Sequence, residues 1–149
     1  MHLAPNQNRN QDTQNYVLAE TFPRRQGYGV AEAAAIRHLV EVGAVALADR
    51  KRTDLHFHSY LNPQRSIDEE AEKVHGLSME RLATEPEFSE IAESFLEFVE
   101  GSILVIHNAA FDLGFLNAEL KRASSQYPAL EEICEVEDTL LLARNKFPG

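Results

Sequence analysis

Asp112 is the side chain best placed to do chemistry in this chain. It follows the apolar run Ile103-Leu104-Val105-Ile106, the polar pair His107-Asn108, and Ala109-Ala110-Phe111. A short continuous apolar run of this kind reads as a buried central strand. Asn108 is a favoured helix N-cap type, which predicts a helix from 109 with Asp112 one turn in, where the helix dipole favours a negative charge. Ligands in open α/β sheets gather just beyond the carboxyl ends of strands. Asp112 therefore stands where a metal-binding carboxylate belongs, and His107 and Asn108 stand where a substrate would approach. The plainer readings are a first-turn acid and a satisfied core histidine.

The elements that must position these groups are legible in part. Met1 to Asn15 is rich in Asn and Gln and reads as a disordered tail, leaving residues 16–149 as one domain. Tyr16-Val17-Leu18 is a strand candidate, Pro23 to Gly29 a loop, and Ala31 to Leu39 a helix by its alanines. Val42 to Leu47 reads as a strand, Asp49 to Thr53 as a polar turn, and Leu55 to Tyr60 as a half-buried strand closing an antiparallel hairpin. Thr84-Glu85-Pro86-Glu87 resembles a capping-box helix start, followed by Phe88, Ile91, Phe95 and Phe98 or Val99 on one face and Gly101 as the stop. A strand over 102–107 and a helix over 109–123 follow, the latter with Phe111, Phe115, Leu116 and Leu120 inward. Ile133 to Val136 is a fifth strand candidate, and Thr139 to Arg144 starts a last helix. Strands first, then alternating helices and strands, predict an α/β fold with a mixed sheet covered by helices.

Composition narrows the function classes. The chain has 149 residues and a net charge of −10. Clustered Lys and Arg normally supply nucleic-acid affinity, so this charge counts against a DNA-coating protein. It does not count against a nuclease whose carboxylates hold divalent cations against the phosphates. A single cysteine, Cys134, reads as a buried small hydrophobe and suits a reducing, cytoplasmic setting. No apolar run approaches the ~18 residues of a membrane span. His56 and His58 lie on one strand face at a spacing that can bind metal, but no third ligand is evident. His75-Gly76 reads as a loop turn, and Asp138 has no evident role.

Several segments together resemble one family, the DnaQ-like (DEDDh) 3′-5′ exonucleases, close to the proofreading epsilon subunit of bacterial DNA polymerase III. They are Val40 to Val45, Phe57 to Pro63, Val74 to Leu77, Pro86 to Phe88, Val105 to Asp112, and Asp138-Thr139-Leu140 with Ala143-Arg144 and Phe147-Pro148-Gly149. The resemblance implies an RNase H-like fold: a five-stranded mixed sheet with helices on both faces. It also implies two divalent metals, Mg²⁺ or Mn²⁺, and a general-base histidine cutting the terminal phosphodiester of single-stranded or 3′-terminal DNA. Polymerase III catalytic or accessory subunits are the implied partners. Glu41 falls at a strand position near the family's site.

The chain departs from that pattern at two places. The family's first motif is Asp-x-Glu-Thr after a strand, and here the strand ends Val17-Leu18-Ala19-Glu20-Thr21. Aligned from the strand, Ala19 takes the Asp position; aligned from Glu20-Thr21, Leu18 does. The third motif, a His four residues ahead of an Asp, is also missing: the last His is His107 and the only Asp after Asp112 is Asp138. In the family that motif lies on a helix beyond the Phe-Pro-Gly segment, so the domain is expected to lack its C-terminal catalytic helix. Asp112 and Glu20 are left as the catalytic and metal-binding candidates, with His107 and Asn108 as substrate-binding ones. Metal binding is expected to be weak or absent and the exonuclease inactive or weak. The domain is also expected to be marginal, with apolar surface left bare unless a partner covers it. The alternative is a non-catalytic binding module docking a replicative polymerase or accessory subunit.

Overall fold

In a computed structural model of the chain, residues 16–22, 39–49, 51–63 and 78–148 are described, with Val17 and Ala19 the described side chains of the first stretch. The expected tail, the Pro23–Gly29 loop, most of the Ala31–Leu39 helix and the His75-Gly76 turn lie outside these residues.

The described strands are β1 (Tyr16–Phe22), β2 (Glu41–Ala48), β3 (Lys51–Tyr60), β4 (Ile103–Ile106) and β5 (Glu135–Asp138). They form one sheet in the order β3-β2-β1-β4-β5. β1 and β3 each run antiparallel to β2, while β4 runs parallel to β1 and to β5. This is the mixed five-stranded sheet the sequence predicts. The hairpin turn is tighter than Asp49 to Thr53: Lys51 already pairs with Ala48, and Asp49 takes the left-handed turn at φ 51°. Asp tolerates that conformation better than most residues. Lys51 and Arg52 are exposed on a strand at the end of the sheet order, where charge discourages pairing with another chain. β3 is less buried than its alternation predicts, because only Phe57 reaches the core while Leu55 stays exposed.

The helices are α1 (Met79–Leu82), α2 (Phe88–Val99), α3 (Ala109–Ala123), α4 (Leu130–Ile133) and α5 (Thr139–Lys146). α2 buries Phe88, Ala92, Phe95 and Val99, one helical stripe. Phe57 of β3 stacks against Phe95 and Phe98, with ring centroids 5.5 and 6.0 Å apart. Burial of each such ring contributes about 1.5–3 kcal/mol. α3 turns Phe111, Phe115, Leu116 and Leu120 inward, as its sequence spacing predicts. Leu104, Ile106, Val17, Ala19, Val42 and Ala44 complete this core from the sheet.

Two boundaries differ from expectation. α2 starts at Phe88, not at the Thr84 box: the Glu90 carboxylate accepts from the Glu87 amide at 2.8 Å, while the Thr84 hydroxyl donates back to the Arg81 carbonyl behind α1. The fifth strand begins at Glu135 rather than Ile133. Leu130 and Cys134 are buried while Glu132 midway between them is exposed, a helical rather than an alternating pattern, and residues 130–133 form a helical turn. Asn117 of α3 secures that turn by accepting from the Leu130 amide at 2.9 Å and donating to Glu131. Gly101, at φ 71°, ends α2 in the left-handed conformation that favours glycine. Cys134 is buried, its thiol donating to the Val99 carbonyl. Among the described residues no helix is long and apolar enough to cross a membrane.

Candidate active site at the end of the central strand

β1 and β4 are parallel neighbours, paired from Tyr16–Ile103 to Leu18–Val105, so their carboxyl ends meet at one edge of the sheet. That edge carries position 20 on β1 and, past β4, the turn His107-Asn108 leading into α3. Asp112 lies in the first turn of α3 and is 1% exposed, among Ala109, Phe111, Phe115 and Leu116 of its own helix. A carboxylate so deeply withdrawn from water is costly unless its oxygens are satisfied, so its place is a constraint on the fold as well as on any chemistry.

Asn108 does not act as the N-cap its type predicts. It occupies the cap position but adopts φ 62°, ψ 58°, and its side chain makes no capping hydrogen bond. The cap comes from Asp138, at the end of β5. One Asp138 oxygen accepts from the Asn108 amide at 3.0 Å and from the Leu140 amide at 2.9 Å, and the other accepts from the Ala109 amide at 2.9 Å. One carboxylate thus satisfies the otherwise unpaired first amides of two helices, α3 and α5. Partial burial pushes the Asp138 pKa up, but hydrogen bonds from the amides of Ala109, Leu140, Asn108 and Leu141 outweigh it and hold the carboxyl below its ordinary value. Beside it, His107 is exposed and its Nδ1 lies 3.0 Å from the Thr139 hydroxyl.

Asp138 is the functional-edge residue that sequence reasoning left without a role. An Asp immediately ahead of Thr139-Leu140-Leu141-Leu142 is itself an N-cap signal for α5. Its bonds to residues 108 and 109 bridge about 30 positions and leave no local trace.

The burial of Ala19 bears on the two alignments of the first motif. Ala19 is 3% exposed and belongs to the core. Strand alternation therefore sets position 19 on the opposite face from positions 18 and 20. Acids two residues apart on a strand share a face, as positions 18 and 20 do. Glu20 itself pairs with Gly43 of β2.

The remaining candidates are occupied elsewhere. His58 Nε2 lies 2.7 Å from Glu41 Oε1 and packs edge-on against Tyr60. His56 Nδ1 lies 3.2 Å from the Asp54 carbonyl. Among the described residues no group of three His, Cys, Asp or Glu side chains converges closely enough to hold a metal ion.

On α5, Leu141 and Leu142 are 55% and 48% exposed, and Phe147 just past its end is 74% exposed.

Residues 31–149 match the family model described as Exonuclease. DNA polymerase III subunit epsilon of Escherichia coli (strain K12) is 43% identical over 111 residues, which are 74% of this chain and 46% of that protein. The same subunit of Buchnera aphidicola subsp. Acyrthosiphon pisum (strain APS) is 46% identical over the same shares. The chain thus spans about half the length of the curated relatives it matches. Among solved structures, exonuclease X in complex with 5′ overhanging duplex DNA superposes with a TM-score of 0.61 at 21% identity, covering 90% of this chain and 65% of that one. Product-bound exonuclease I superposes with a TM-score of 0.66 at 13% identity, covering 88% and 31%. These structures share its RNase H-like fold. By the span of the family match and its identity to the epsilon subunits, the chain belongs to the DnaQ-like exonuclease family.

Proposed function

We propose that this chain is an epsilon-type 3′-5′ exonuclease domain by descent whose own 149 residues carry a degenerate active site. One observation carries the reading. Asp112 is buried on the first turn of α3 at the carboxyl edge of the sheet, while neither Leu18 nor Ala19 ahead of Glu20 is an acid. Asp112 and Glu20 are the acids this reading retains; Leu18 stands where a second β1 acid would stand, and no His followed four residues later by Asp occurs in the sequence. Loss of one acid from β1 leaves a poor site for holding the metals that activate water. Mg²⁺ or Mn²⁺ binds weakly or not at all in this account, and His107 and Asn108 meet the 3′-terminal strand. Cytoplasmic residence and a part in replication belong to the same proposal.

The test is hydrolysis of single-stranded DNA labelled at its 5′ end, with Mn²⁺ or Mg²⁺, beside an Asp112→Ala control. The expected result is little or no shortening by either protein. Rapid laddering from the 3′ end that vanishes in Asp112→Ala would overturn the inactive reading.

The exposed Leu141, Leu142 and Phe147 favour a second reading, a non-catalytic module docking a polymerase or accessory subunit through apolar surface. Titration with a replicative polymerase subunit tests it; absence of saturable binding removes it.

A further inference from the structure

The geometry points to Asp138, with Thr139, as the positioning element that sets His107 and Asn108 at the mouth of the site. This rests on the proposal above that those two residues meet a DNA strand. Asn108 takes the left-handed conformation, which Asn, like Asp, tolerates better than most residues. Two consecutive amides, those of Asn108 and Ala109, converge on the Asp138 carboxylate at 3.0 and 2.9 Å. Successive amides arranged in this way form an anion-binding concavity. Here an internal anion fills it. The amides at the start of α3 are therefore not open to a substrate phosphate, and contact with a strand falls to the side chains of His107 and Asn108. His107 is tied in turn to Thr139, the residue next to the clamp. Asp138 touches no substrate in this arrangement; it acts through the two residues it places.

The experiment compares wild-type chain with Asp138→Asn, Thr139→Val and, as a remote control, Ser78→Ala, which removes the side-chain cap of α1. Asparagine keeps the shape but turns a donor toward amides that need an acceptor. The first readout is the amide proton shifts of Asn108, Ala109 and Leu140, which move upfield together in Asp138→Asn. Movement of Leu140 alone would reduce Asp138 to an ordinary cap of α5 and overturn the proposal. The second readout is binding of a fluorescently labelled single-stranded oligonucleotide by anisotropy in Mg²⁺ buffer. Asp138→Asn is expected to weaken binding roughly tenfold, the order lost when one charge-assisted hydrogen bond stops holding its partners in place. Thr139→Val should weaken it less and Ser78→Ala not at all. In a His107→Ala background the Asp138→Asn loss should shrink, because the two act as one unit. Wild-type affinity in Asp138→Asn, equal weakening by Ser78→Ala, or full additivity with His107→Ala would each contradict a positioning role. If wild type binds no oligonucleotide while the three amides still move together, the DNA reading fails and takes this role with it, although the clamp itself exists.

Discussion

The carboxyl ends of β1 and β4 lie side by side in one sheet, yet they hold their site residues by different means. Past β4, the acid that the proposed reading retains and the carboxylate that holds its helix both have structural work. Asp112 is buried at the start of α3, and Asp138 satisfies the first amides of two helices. Loss of either leaves buried or terminal polar groups without partners, a cost of about 1–3 kcal/mol each. On β1 the structural work falls on alternate positions, Val17 and Ala19, which fill the core. Alternation sets positions 18 and 20 on the other face, so in the proposed reading an acid there would serve the site without entering this core. A fold and its site are thus separable on β1 and entangled beyond β4.

The largest effect that sharpens this comparison is on stability. Ala19→Asp sets a charge into the core, and its expected cost is several kcal/mol, enough to abolish cooperative unfolding at ambient temperature. Circular dichroism during urea titration measures it. A folded Ala19→Asp protein with near-wild-type midpoint would show that position 19 faces the site after all.

A smaller effect isolates Asp138. Its carboxyl pKa is held below the ordinary value, so its stabilisation is fully present above the unfolded-state pKa of about 3.9 and is lost as pH falls through the lower folded value. The difference in urea midpoint between wild type and Asp138→Asn should therefore be constant from neutral pH to about pH 5 and close progressively below about pH 4. A difference that persists unchanged to pH 2 would mean that the ionised carboxylate is not what holds the two helix starts.

Local periodicity made much of the fold legible in the sequence. Helix 109–123, with its four inward residues, follows from spacing alone, as does the stripe on α2 and the stop at Gly101. Boundaries set by side-chain contacts were harder. The start of α2 moved three residues because Glu90, rather than Thr84, supplies the capping oxygen. The fifth strand moved because Leu130 and Cys134 are buried with Glu132 exposed midway between them. Of the candidate site, the first-turn place of Asp112 is legible from the apolar strand ahead of it. The true cap of its helix is not, since Asp138 reaches it across the sheet from β5. The choice between Leu18 and Ala19 needed the burial of Ala19, which spacing in a single strand does not reveal.

In the proposed reading the site fails on β1, at position 18, while the β4 side remains in place. Mn²⁺ binding to Leu18→Asp, followed through paramagnetic broadening of the amide signals around Asp112, tests it most directly. The predicted result is weak or no binding by wild type, an affinity at least roughly tenfold higher in Leu18→Asp as a third carboxylate joins Glu20 and Asp112, and loss of that gain when Asp112→Ala is added. Tight binding by wild type, or no gain in a folded Leu18→Asp protein, would contradict it.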